Sequence, residues 1–193
     1  MTNRHPTVPR PEPDIEDIEV FLLVEAIYRR WGYDFRDYSP ASMKRRVRRI
    51  LQLEGMTSVS ALQERLLRDA DYMQRFLDQV TVNVTAMFRD PGFYRAFRAL
   101  AVPILKRRRS LRIWHAGCAA GEEVYSMAIL LHEEGLLGRA RSYATDINPR
   151  VLDTAKAGIY PLDKMQEYTR NYQASGGAAA FSEYYQSLSL IHI

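Results

Sequence analysis

The chain has 193 residues, 27 Lys and Arg against 23 Asp and Glu, a net charge of +4 and 47% hydrophobic residues, enough for one large or two small domains with a real core. The single cysteine, Cys118, excludes an internal disulfide framework, the four histidines show no metal-ligand spacing, and no apolar run approaches membrane-spanning length. No charged-then-apolar leader precedes a cleavage site, so a cytoplasmic location is the default expectation.

Residues 1–13 carry Pro6, Pro9, Pro11 and Pro13 and few apolar groups, and read as a disordered or extended tail. A helix is predicted from Asp14, with acids in its first turn, Ile15, Ile18, Leu22, Val24, Ile27, Tyr28 and Trp31 as its apolar side, and Gly32 ending it. Ser39-Pro40 starts the next helix, which runs to about Leu53 before Gly55 and buries Met43, Val47, Ile50 and Leu51. Lys44, Arg45, Arg46, Arg48 and Arg49 fan over its other faces with no acid among them. A solvated face is the bland reading. Like charges at helical spacing cost stability, however, so Lys44, Arg45, Arg48 and Arg49 are candidates for docking an anionic partner. The charge distribution agrees: residues 1–110 hold 20 bases and 14 acids, whereas residues 111–193 hold 7 and 9.

Ser60 to Gln63 fits a capping box opening a short helix to Arg68, and a further helix covers about Asp71 to Gln79. Residues 14–80 thus form a small all-helical domain. The segment 81–90 mixes β-branched and polar residues. With Asn83, Thr85 and Arg89 it reads either as a ligand-binding loop or as a plain linker, and motif physics does not choose between them. A helix starts at Pro91, carries Phe93, Tyr94 and Phe97, and is broken or bent by Pro103.

Leu111 to Ala116 is predicted to be a buried parallel strand, followed by the loop Gly117-Cys118-Ala119-Ala120-Gly121 and a helix from Glu122. Strand, glycine loop and helix open a nucleotide-binding α/β unit, in which Gly117 and Gly121 let backbone approach a ligand. The loop is not the dinucleotide fingerprint, and Glu122 and Glu123 would repel a pyrophosphate. A ligand with ribose hydroxyls and a positive centre fits better. A second strand, Ser142 to Thr145, ends at Asp146, where such folds hold ribose hydroxyls. A helix from Pro149 to Ala157 follows, and residues 161–186 read as short helices and loops.

Four blocks now carry a resemblance: Asp34 to Pro40 with the basic helix; Asn83 to Asp90; Gly117 to Ser126; and Ala144 to Asn148 with Gly158 to Tyr160. In this order and spacing the chain resembles the CheR family of bacterial chemotaxis-receptor glutamate O-methyltransferases, which use S-adenosylmethionine and release S-adenosylhomocysteine. The resemblance implies an α/β fold class: a small N-terminal all-helical domain, then the first part of a Rossmann-like methyltransferase domain over residues 91–193. It also implies that the linker 81–90 supplies Asn83, Thr85 and Arg89 to the cofactor or the transferred methyl group. Arg89 is the candidate catalytic residue. Glu123 and Asp146 would hold the amino-acid and nucleoside parts, beside Gly117 and Gly121, and no metal is implied. The basic helix would meet the acidic methylation region of a receptor. The protein would be a cytoplasmic monomer that neither inserts in membranes nor binds nucleic acid.

Nothing matches the later strand ends that complete the family's cofactor pocket, and residues 187–193 do not look like the family's continuation. The expectation is a C-terminally truncated fragment with a foreign or frameshifted end, and poor activity on its own. Three rivals remain at this point: a non-catalytic receptor-binding adaptor, a nucleic-acid-binding protein using the basic helix, and a nicotinamide enzyme. The last is disfavoured by Glu122-Glu123 and by the missing middle glycine.

Overall fold

The computed structural model describes residues 14–81 and 85–187; the expectations for the tail 1–13, for Asn83 and for residues 188–193 fall outside these. The chain divides into two units, residues 1–81 and 82–193.

The first unit is helical. Helix α1 spans Ile15–Trp31, with the Asp14 carboxylate accepting from the Glu16 amide at its start. Helix α2 spans Pro40–Glu54, α3 Val59–Arg68 and α4 Ala70–Val80. Their core joins Leu23, Ile27, Val47, Leu62, Leu66, Phe76 and Leu77. Two sequence expectations need correction. The buried face of α1 is Val20, Leu23, Val24 and Ile27, whereas Ile15, Ile18, Leu22 and Tyr28 are exposed. Apolar residues occur nearly all round this helix, so periodicity alone does not fix its orientation. Helix α3 is capped by Ser58, whose hydroxyl accepts from the Ala61 amide, and the Ser60 hydroxyl instead donates to Glu19 at 2.5 Å.

The second unit is α/β. Helix α5, Pro91–Ala96, continues through a π-helical turn, Phe97–Ala101, into α6, Val102–Leu105. Pro103 has no N–H to donate to the Ala99 carbonyl, and the wide turn absorbs that loss without ending the helix. Strand β1, Leu111–Ala116, pairs in parallel with β2, Ala140–Thr145, in register from Leu111 opposite Ala140 to Ala116 opposite Thr145. Helices α7, Glu122–Glu133, α8, Pro149–Ala157, and α9, Met165–Ala174, complete the unit. Leu111, Met127, Leu130, Leu131, Tyr168 and Tyr172 build its core.

Strand β1 is not buried on both faces. Leu111 and His115 are buried, but Trp114 is 70% exposed, and its indole N–H donates to the Thr145 hydroxyl at 3.0 Å. Among the described residues β2 is the one neighbour of β1, and no helix covers the face carrying Trp114 and Tyr143. The apolar run of β1 therefore serves one packed face and one open face.

Candidate functional site

The parallel pair delivers the chain to the site. Past Ala116, the amides of Gly117 and Cys118 both donate to the Thr145 carbonyl, at 2.8 and 3.0 Å, tying the loop to the end of β2. Gly117 has φ +73° and nothing within 4 Å of where a Cβ would stand, so its backbone is open to a ligand. Ala119 also takes a positive φ, 47°, costly for a residue with a side chain. Its amide donates to Asp146 Oδ2 at 2.8 Å, while Asp146 Oδ1 accepts from the Asn148 amide at 2.9 Å. Asp146 thus braces the loop and the start of α8 together.

Across from the loop runs the segment 85–90. A cleft of about 570 Å³ lies between them, lined by Thr85, Arg89, Asp90, Phe93 and Tyr94 on one side and Gly117, Cys118, Ala119 and Glu123 on the other. The volume suits a small-molecule ligand, for which clefts of roughly 300–1,000 Å³ are usual. The cleft therefore gathers four of the residues singled out from sequence: Thr85, Arg89, Gly117 and Glu123. Two others stand outside its lining. Asp146 holds the loop through the Ala119 amide. Gly121, φ +95°, faces α8: a Cβ there would sit 2.9 Å from the Ala155 Cβ, so this glycine is required by helix packing.

The two adjacent acids part company. Glu122 is 6% exposed, accepts from the Tyr168 hydroxyl at 3.3 Å and does not line the cleft. Burial raises its carboxyl above the usual range. The Glu123 side chain is 61% exposed, lines the cleft and meets Nδ1 of the buried His115 at 2.9 Å. The sequence argument that both acids repel a phosphate thus applies to Glu123 alone. Burial pushes the Tyr94 phenol up to about 12 and also raises the Cys118 thiol, so neither is ionised at neutral pH. A thiol held in that form is a poor nucleophile, which argues against covalent catalysis at Cys118.

Sequence reasoning missed Tyr94 and Phe93 as lining residues, treating them only as the apolar side of α5. The signal was available in hindsight: the helix begins one residue after Asp90, so its first turn must share the fate of the loop before it.

The basic helix forms a second candidate surface, a shallow depression lined by Lys44, Arg45, Arg48, Arg49 and Gln52. Its charges are not equivalent. Lys44 is ringed by Asp14, Glu16 and Asp17, at 2.8, 3.2 and 2.7 Å. Arg48 binds Glu16 through two nitrogens and holds that carboxyl below the usual range. Arg45 and Arg49 make no ion pair among the described residues. Lys44 and Arg48 are therefore partly neutralised within the chain, which the sequence pattern did not reveal because their partners lie about 30 residues upstream.

A strand, a ligand-facing glycine loop and a helix, with an acid bracing the loop from the end of the next strand, define a small-molecule-binding α/β domain of the nucleoside-binding kind. The chain belongs to the CheR methyltransferase family: the all-alpha domain of that family matches residues 19–81 and its S-adenosylmethionine-binding domain matches residues 83–183. A Pseudomonas putida protein with the provisional name methyltransferase Cher3 is 53% identical over 88% of this chain. Chemotaxis protein methyltransferase 2 of Pseudomonas aeruginosa is 35% identical over 74%, and the chemotaxis protein methyltransferase of Salmonella typhimurium 31% identical over 79%. The chain spans 62%, 52% and 53% of the lengths of these three proteins.

The cofactor of the matched domain is S-adenosylmethionine, and the residues present fit it. Gly117 leaves an open backbone cradle, Glu123 supplies a carboxylate for a cationic group, and Arg89 supplies a cation in the same cleft. No helix among the described residues is long and apolar enough to cross a membrane, and none of their His, Cys, Asp and Glu cluster to hold a metal.

Proposed function

We propose that the protein transfers a methyl group from S-adenosylmethionine to glutamate side chains in the acidic methylation region of chemotaxis receptors, as a cytoplasmic monomer. The observation that carries this reading is the pairing of opposite charges, Arg89 and Glu123, across one cleft closed by the glycine loop. A zwitterionic amino-acid group attached to a nucleoside calls for that arrangement: Glu123 faces the ammonium, Arg89 the carboxylate, and the Gly117 backbone the body of the ligand.

The bound cofactor supplies an electrophilic methyl carbon on a cationic sulfur. The residues of the chain have little proton chemistry to do, because a glutamate acceptor with a pKa near 4.3 is already an anion at neutral pH. Their work is alignment and exclusion of water. Tyr94, buried and un-ionised, lines the cleft without adding charge, and Phe93 supplies an apolar wall. His115 orients Glu123 from beneath the loop. Esterification removes one negative charge from the acceptor, which makes each transfer an electrostatic signal.

The basic helix α2 is the docking surface in this reading, with Arg45 and Arg49 as its most available charges. Reversing both to Glu is expected to weaken binding of an acidic receptor fragment about tenfold at low salt and to leave cofactor affinity unchanged. The difference should shrink as salt rises, because exposed charges are screened over about 8–10 Å near physiological ionic strength. Titration of the fragment by fluorescence anisotropy at two salt concentrations checks this. Equal affinity of wild type and variant at low salt would remove α2 from the interface.

A further inference from the structure

The segment that carries Thr85 and Arg89 is held in an unusual way. Between those two cleft residues lie Ala86, Met87 and Phe88, all buried. Phe88 is fully buried and has φ +53°, a conformation that a bulky residue adopts only when its surroundings impose it. Three rings impose it here: Tyr94, Tyr172 and Phe181 pack on the Phe88 ring at centroid distances of 4.9, 5.3 and 6.4 Å. Two polar side chains then fix the two ends of the single peptide unit that leads into the strained residue. The Phe88 amide donates to Ser126 Oγ at 2.9 Å, and the Met87 carbonyl accepts from Asn171 Nδ2 at 3.1 Å. Ser126 is itself fully buried and donates to the Glu122 carbonyl at 2.6 Å, so its hydroxyl has a fixed direction. Neither Ser126, on α7, nor Asn171, on α9, lines the cleft.

We propose that Ser126 and Asn171 are positioning residues: they clamp the strained Met87–Phe88 peptide from two helices and thereby aim Thr85 and Arg89 into the cofactor cleft. The same helix α7 that presents Glu123 to the cleft thus sets the position of the opposite wall, which couples the two walls through one rigid element. The inference rests on the reading of Arg89 as a cofactor ligand.

The test is calorimetric binding of S-adenosylmethionine to the full-length gene product, wild type and five variants. Arg89→Ala tests the underlying reading. Ser126→Ala and Asn171→Leu remove the two clamps, and Ser126→Thr keeps a hydroxyl able to bond both the Phe88 amide and the carbonyl one turn back. Tyr184→Phe removes a partly buried hydrogen bond to Glu133 elsewhere in the same unit, as a control for general destabilisation. Ser126→Ala and Asn171→Leu are each expected to weaken the cofactor about tenfold, since small misplacements of a binding group carry penalties of that size or more. Ser126→Thr should restore most of the affinity, and Tyr184→Phe should leave it unchanged despite a lower melting temperature. Unaltered affinity in Arg89→Ala would overturn the ligand reading and the clamp with it. Loss in Arg89→Ala but none in Ser126→Ala and Asn171→Leu would overturn the clamp alone. An equal loss in Tyr184→Phe would also overturn it, by showing that loosening of the unit suffices.

Discussion

Replacing Asp146 by alanine is expected to weaken S-adenosylmethionine binding roughly 10- to 100-fold, the range that corresponds to losing one charge-assisted hydrogen bond. The structure gives this residue a larger task than the ribose contact expected from its place after β2. Its two oxygens accept from the amides of Ala119 and Asn148. Without the carboxylate, the positive φ of Ala119 loses its anchor, and the loop relaxes away from the conformation that exposes the Gly117 backbone. The variant should therefore lose thermal stability along with affinity. Asp146→Asn, which keeps an acceptor oxygen, should fall between alanine and wild type on both measures. Isothermal titration of the full-length gene product with the cofactor, alongside a thermal melt, checks this. Wild-type affinity in Asp146→Ala would separate the loop brace from the binding site.

The largest expected effect on stability lies at Glu133. Its carboxylate accepts from the Arg98 guanidinium, from the hydroxyls of Tyr172 and Tyr184 and from the Ala178 amide. The side chains of Arg98 and Glu133 are only 14% and 8% exposed. Arg98 also reaches Glu134 at 3.1 Å, which Lys106 meets at 2.9 Å. This network ties the π-helical turn, α7, α9 and the last described residues together. Glu133→Ala leaves the largely buried Arg98 with Glu134 as its one remaining acid among the described residues and removes the acceptor of two tyrosine hydroxyls, a change expected to cost about 3 kcal/mol, the lower end of what losing one partner of a buried pair costs. Glu133→Gln keeps an acceptor and should cost less. The two tryptophans report the units separately, Trp31 in the first and Trp114 in the second. Denaturant titration should show the Trp114 transition at lower denaturant in Glu133→Ala, with the Trp31 transition in place. Coincident shifts of both would show that the units unfold as one.

Element boundaries were the legible part of this sequence, because single residues set them. Pro40 and Pro91 start helices, Gly32 and Gly55 end them, and Asp146-Ile147-Asn148-Pro149 marks the passage from strand to helix. The sequence of blocks was enough to place the chain in an α/β family with a helical domain in front. What sequence did not show was direction. The apolar residues of α1 surround the helix, and only packing against the neighbouring helices α2 and α3 decides that Leu23 and not Leu22 is buried. Glu122 and Glu123 look alike at a helix start, yet Tyr168, 46 residues away, draws the first inward, and His115 meets the second. Gly121 looks like a ligand-facing glycine and is dictated by Ala155. The clamp on Phe88 joins residues separated by 38 and 84 positions in the chain, a distance at which no local pattern operates.

The central claim, methyl-ester formation on receptor glutamates, is tested most directly by incubating the full-length gene product with methyl-labelled S-adenosylmethionine and a purified receptor cytoplasmic fragment, then treating the washed product with alkali. A carboxylate oxygen as acceptor yields an ester, and esters release their label as volatile methanol in base. The account predicts label on the receptor fragment that is discharged by alkali and is absent when the methylation-region glutamates are replaced by alanine. Label that survives alkali, or none on the receptor while the cofactor binds, would contradict it.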